Sequence, residues 1–244
     1  MIPIDFRCGS WESVLADIDE VDTLITDPPF SVRVHNGQRH GRKDTRYCVP
    51  SLHPLLSSRG YNYKGWAPDD VRCFVTHWEP RTRGWFCSFT SHDLIQAFTA
   101  ELASHGRYVF APIACVQRAR NVRLVGDGPG NWTDYLVVAR RPLTKGVKHW
   151  GALHGAYVGQ CHDKGENALN RSKHPCSGGK PIWLMCAIVS DYSRPGDLVC
   201  DPCAGGATTL IAAHMEGRHA VGSEQNPETF SKEKERVDWI SIRK

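Results

Sequence analysis

An α/β domain built on an open, mostly parallel sheet is predicted by three observations. The apolar run Val21 to Thr26 is short enough for a buried strand, and it stops at Asp27-Pro28-Pro29-Phe30. A second such run, Leu198-Val199-Cys200, enters a turn of small residues from Asp201 to Thr209 and then a helix through Leu210, Ile211, Ala212 and Ala213. Strand-like and helix-like stretches alternate between the two, as βα units do. In sheets of this kind chemistry gathers beyond the carboxyl ends of the strands, where both motifs fall.

The 244 residues suit one large domain, residues 1–244, with insertions. A formal net charge of +4 means that any basic partner surface must come from local clustering. The N-terminus carries Asp5 early and no long apolar core, so it does not read as a signal peptide, and no apolar run approaches membrane-spanning length. The ten cysteines are scattered through apolar runs, which suits free thiols in a reducing cytoplasm. Cys200 and Cys203 form a C-x-x-C without a matching second pair. Cys161, His162, His174 and Cys176 make a zinc set only on paper, so no metal is expected.

In chain order, Ile2 to Arg7 reads as a strand, and Ser10 caps a helix through Val14, Leu15 and Ile18. Residues 31–66 lose periodicity and become basic, with Arg33, Arg39, Arg42, Lys43 and Arg46 interleaved with aromatics. A loop of that length is usually functional or disordered. Helical spacing returns at Pro68 through Trp78, followed by a strand over 84–89 and a helix from Ser91 to Gly106. Arg107 to Gln117 and Tyr135 to Ala139 read as two strands joined through a Gly-rich turn, an antiparallel edge to the sheet. Residues 141–173, with Lys148, Arg171 and Lys173, read as a second irregular basic segment.

Two stretches carry chemistry. Asp27 and the carbonyl of Pro28 can accept hydrogen bonds from an amino group, and neither proline offers a competing N–H. Phe30 adds a flat apolar face for stacking on a base. Together they suit a planar exocyclic amine, although a proline turn capped by Asp27 uses the same residues. At the other site, a strand, a small-residue turn and a helix let backbone approach a nucleotide-like ligand closely. Glu224 follows the glycines by about 20 residues, the spacing at which an acid reaches ribose hydroxyls. Asn226-Pro227-Glu228 then starts the last helix. An ordinary βα turn is the plainer alternative here.

Asp27-Pro28-Pro29-Phe30 resembles the catalytic motif of S-adenosylmethionine-dependent DNA amino-methyltransferases. Residues 201–209 resemble that family's Asp-Pro-Phe-Ala-Gly-Ser-Gly-Thr-Thr cofactor motif. His174-Pro175 and Lys180-Pro181 resemble the segment that precedes it. With the catalytic motif first, the order is the permuted one of the β class. Cys203 stands for Phe, Gly206-Ala207 for Ser-Gly, two extra residues separate the two proline dipeptides, and Cys8-Gly9-Ser10 stands where the family often has Gly-Asp. The resemblance implies a Rossmann-like methyltransferase fold with Asp27, Pro28, Pro29 and Phe30 at the reacting amine. It implies S-adenosylmethionine held by Asp201, Pro202, Cys203, Ala204, Gly205, Gly206, Thr208, Glu224, Asn226, Lys180, Pro181 and Cys8. It also implies a double-stranded DNA partner with the target base flipped out. Residues 31–66 would cover the active site, and 141–173 would read the sequence. An aspartate in the first motif position is typical of N6-adenine enzymes. N4-cytosine, RNA adenine, a protein glutamine amide, and a non-catalytic DNA-binding module are the alternatives. A cytoplasmic protein is expected, a homodimer being one option.

Overall fold

The computed structural model describes residues 4–34, 64–118, 120, 130–143, 150–161 and 179–242. Among these, nine strands form one sheet in the order β1-β9-β8-β2-β3-β6-β5-β7, with β4 paired to β6. The strands are β1 (Ile4–Cys8), β2 (Thr23–Thr26), β3 (Trp85–Thr90), β4 (Tyr108–Val109), β5 (Ile113–Arg118), β6 (Thr133–Arg140), β7 (Ala156–Gln160), β8 (Leu198–Asp201) and β9 (His219–Glu224). The helices are α1 (Trp11–Val14), α2 (Pro68–Trp78), α3 (Ile95–Ser104), α4 (Ile182–Tyr192), α5 (Thr208–Met215) and α6 (Pro227–Ile242).

The strands sort their side chains by the period of two. Ile25, Cys87, Val138, Val199 and Ala220 join one apolar core with residues of α4 and α5. Their immediate neighbours Leu24, Phe86, Val137, Cys200 and Val221 join a second core with residues of α2 and α3. Both faces of the central strands are therefore covered, which is why these runs read as continuously apolar. Gly84 and Gly222 lie where a Cβ would come within 2.5 Å of a neighbouring strand's carbonyl, that of Asp22 and that of Asp201.

A buried guanidinium ties the second core to the sheet. The Arg107 side chain is fully buried; it donates from Nε to Glu79 Oε1 at 3.0 Å and from Nη1 to the Gly84 carbonyl at 2.6 Å. It also bonds the carbonyls of Glu79 and Thr82. Arg107→Ala would strand Glu79 and these carbonyls in a low-dielectric site. A loss of ~3–5 kcal/mol is expected for breaking such a buried pair, measured by urea unfolding.

Four readings of the sequence need correction. The antiparallel strand β6 is interior, paired to β3, β4 and β5, while β7, parallel to β5, forms that end of the described sheet. The Arg107–Gln117 run breaks into β4 and β5, both registering on β6. Residues 156–160, read as irregular, are a strand whose signal comes from pairing with β5 rather than from its own pattern. The first helix stops at Val14, whose carbonyl accepts from Arg7 Nη1 at 2.7 Å and so is taken by a side chain instead of a further turn.

Candidate active site

The parallel neighbours β2 and β8 place the two motifs side by side, with Thr23 opposite Val199 and Leu24 opposite Cys200. The Thr26 hydroxyl donates to Asp201 Oδ1 at 2.8 Å, joining the residue before the catalytic motif to the first residue of the cofactor motif. From β8 the chain passes through α5 to β9 on one side. From β2 it passes through α2 to β3 on the other, with α5 and α2 on opposite faces of the sheet. The crevice at this switch point is where ligands bind in open α/β sheets.

A cavity of about 540 Å³ occupies it, lined by Gly9, Ser10 and Trp11 after β1, Asp27 and Pro29 after β2, the 201–206 turn, and Glu224 to Asn226 after β9. Gly205 and Ala207 both adopt positive φ, 49° and 53°. The alanine occupies the left-handed conformation in a position where the resembling family has glycine, an arrangement that costs about 1–2 kcal/mol for a residue with a Cβ. The turn is held by Ala204 N–H donating to the Ser223 carbonyl at 2.8 Å and by Ser223 Oγ donating to the Pro202 carbonyl at 2.8 Å. Glu224 Oε1 accepts from the Asn226 N–H at 2.6 Å, and Asn226 Oδ1 accepts from the Thr229 N–H to cap α6. Burial pushes the Glu224 carboxyl above the ordinary range against these backbone donors.

Asp27 is anchored on one side only. Lys180 Nζ donates to its Oδ2 at 2.5 Å, and Oδ1 is buried without a partner among the described residues. Burial raises the Asp27 carboxyl above the usual range, and the Lys180 charge opposes that rise. The Lys180 ammonium itself is 3.6 Å from Asp134 Oδ2, and its Nζ is 5.2 Å from the Phe30 ring centre and 4.8 Å from that of Phe89. Burial works against its positive charge, but the two carboxylates outweigh burial and hold it above the lysine range.

The structure brings Asp27, Pro29, Lys180, Asp201, Pro202, Cys203, Ala204, Gly205, Gly206, Thr208, Glu224 and Asn226 to one cavity. Cys8 is exposed and outside its lining; the following Gly9, Ser10 and Trp11 take that place. Pro28 is buried, Pro181 is the N-cap of α4, and Phe30 is half-buried against the core. Lys180, read as a cofactor contact, turns its charge to Asp27. Arg33 is exposed, with Nη1 3.5 Å from His92 Nε2. Arg39, Arg42, Lys43, Arg46, Lys148, Arg171 and Lys173 lie outside the described residues, as do His162, His174 and Cys176. Sequence reasoning missed Asp134, Gln117 and Arg120; the one signal was an acid inside the apolar run of β6.

Asp201 gives the site a pH signature. Burial pushes its carboxyl up to about 6, against hydrogen bonds from Thr209, Thr26 and the Cys203 N–H. This lies above the ordinary value of 3.8, so the folded chain takes up the proton first as pH falls. Stability from this residue is therefore greatest below pH 4 and declines as pH rises through 6. Asp201→Asn keeps an acceptor and removes that penalty. In the absence of ligand, its stability relative to the parent should grow by on the order of 3 kcal/mol between pH 4 and 7, measured by urea unfolding.

The fold is Rossmann-like, and its crevice carries the two motifs in permuted order, the Asp27 motif ahead of the Asp201 motif. A family model described as DNA methylase, covering N6 and N4 enzymes, matches residues 132–235, less than half of the chain. Over 68 residues, 28% of this chain and 22% of the other, it is 40% identical to the DNA adenine methyltransferase YhdJ of Escherichia coli (strain K12). The structure of the M1.HpyAVI–SAM complex superposes with a TM-score of 0.65 at 20% identity, covering 97% of this chain and 100% of that one. The cytosine-N4-specific PvuII DNA methyltransferase superposes with a TM-score of 0.63 at 14% identity, covering 98% and 91%. At those identities the superpositions establish the fold. S-adenosylmethionine is the methyl donor of this family. No described helix is long and apolar enough to cross a membrane.

Proposed function

We propose that this chain transfers a methyl group from S-adenosylmethionine to the N6 amine of adenine in double-stranded DNA, with the base flipped into the crevice. The observation that carries the reading is the buried Oδ1 of Asp27, which has no partner among the described residues and lies in the same cavity as the Gly205 turn and Glu224. The residues present fit the cofactor. The Glu224 carboxyl suits ribose hydroxyls, and the left-handed turn suits close approach of backbone to a ligand. When bound, the cofactor supplies an electrophilic methyl.

An aromatic amine is a poor nucleophile because its lone pair is delocalised into the ring. Acceptors at Asp27 and the Pro28 carbonyl favour a pyramidal nitrogen and stabilise the positive charge that grows there during attack. The crevice would bring the bound cofactor and the amine together, so positioning replaces much of the activation. Asp27 then takes the proton that the cationic nitrogen sheds. In a duplex the amine is inaccessible, so base flipping is required, with Phe30 the nearest aromatic in the motif. The aspartate in the first motif position and the local likeness to an adenine enzyme support adenine over cytosine. Incubation with mixed-sequence DNA and methyl-labelled cofactor, followed by nucleoside analysis, tests the reading. Label in N6-methyl-2′-deoxyadenosine supports it, whereas label in N4-methyl-2′-deoxycytidine, or none in DNA, overturns it.

A further inference from the structure

We infer that Asp134 and Lys180 are positioning residues for the transfer: Asp134 seats the Lys180 ammonium so that it holds Asp27 by one oxygen and leaves the other free for the amine. This rests on Asp27 being the amine's acceptor. Asp134 sits on the interior strand β6, 2% exposed, and Lys180 is 5% exposed just ahead of α4. Two such groups far apart in the chain meet in a low-dielectric site only if their charges are mutually satisfied.

Satisfaction runs in one direction along the cluster. Asp134 Oδ2 accepts from Gln117 Nε2 at 2.9 Å, and Oδ1 accepts from Arg120 Nη1 at 2.7 Å. Lys180 lies 3.6 Å from Asp134 and 2.5 Å from Asp27, so its direct bond goes to Asp27 while Asp134 supports its charge from behind. Phe30 and Phe89 add aromatic rings beside the same ammonium, which favours it remaining charged. Asp27 ends the cluster with one oxygen bonded and one without a partner among the described residues. A carboxylate tied at both oxygens would offer an amine fewer and more crowded lone pairs, and one tied at neither would lose rotamer entropy to meet it. The cluster leaves Asp27 between those extremes.

The groups facing Asp27 fix the sign of the test. They are Lys180, Asp134 and Arg120, together with Asp201 from β8, Cys203 in the turn and Cys115 from β5. Lys180→Met removes a cation next to Asp27, so the Asp27 carboxyl should titrate at higher pH. Asp134→Asn keeps an oxygen behind the seated ammonium and removes only the anion, and Lys180 stays charged in that acid range, so Asp27 should titrate at lower pH. Opposite displacements are the signature, because loosened packing moves both variants alike.

Three measurements decide it on the full chain. Cofactor affinity by calorimetry should stay within about threefold of the parent in both variants, since neither replaces a ribose or turn contact. In Lys180→Met, kcat should fall by about tenfold or more with little change in KM for DNA, and the acid limb of the kcat profile should move up. In Asp134→Asn, that limb should move down. The Asp27 carboxyl, followed by ¹³C NMR titration, should show the same opposite displacements without any turnover. Displacement in one common direction, or none, overturns the inference. An inactive parent whose Asp27 titration still responds with opposite signs would instead sink the methyl-transfer reading and leave the charge cluster standing.

Discussion

Asp27→Ala is expected to lower methyl transfer by at least about 10²–10³-fold, the scale for losing one preorganised electrostatic contact to a developing charge. Cofactor affinity should hardly change, because Asp27 belongs to the motif after β2, whereas Glu224 and the 201–206 turn line the cavity from the ends of β9 and β8. The replacement also leaves Lys180 with Asp134 as its remaining carboxylate partner, so some loss of stability accompanies it. Calorimetric binding of S-adenosylmethionine separates that cost from catalysis. Turnover like that of the parent would remove Asp27 from the chemistry.

Glu224→Ala and Gly205→Val should each weaken S-adenosylmethionine binding by about tenfold or more. The first removes a charged acceptor, worth about 1.5–3 kcal/mol when its partner is bound. The second places a β-branched side chain at φ 49°, where it is strained, and blocks the close approach of backbone to ligand. Equilibrium binding on folded variants measures both. Unchanged affinity in the two together would mean that the crevice after β8 and β9 holds something else.

Much of this site was legible in the chain because its parts are local. A buried-strand run ending in Asp-Pro-Pro-Phe, a strand leading through small residues into a helix, and an acid about 20 residues beyond the glycines each state their geometry within a few turns of backbone. The alternation of Leu24 with Ile25, and of Phe86 with Cys87, shows why periodicity alone reported only apolar runs. Both faces are covered, so no polar side remained to mark the period.

What the sequence by itself determined about this protein was the α/β class, the two motifs, their permuted order, and the kind of ligand each could hold. Only the tertiary structure decided that β6 is interior, that residues 156–160 are a strand, and that Lys180 serves Asp27. Those outcomes depend on contacts between residues far apart in the chain. Strand order is set by which edges find partners, and a buried charge is assigned by whichever opposite charge packing brings within reach. Asp134 reads as one acid in an apolar strand until β6, β5 and the start of α4 are assembled. Then it is the carboxylate behind Lys180, because a low-dielectric interior tolerates neither charge alone.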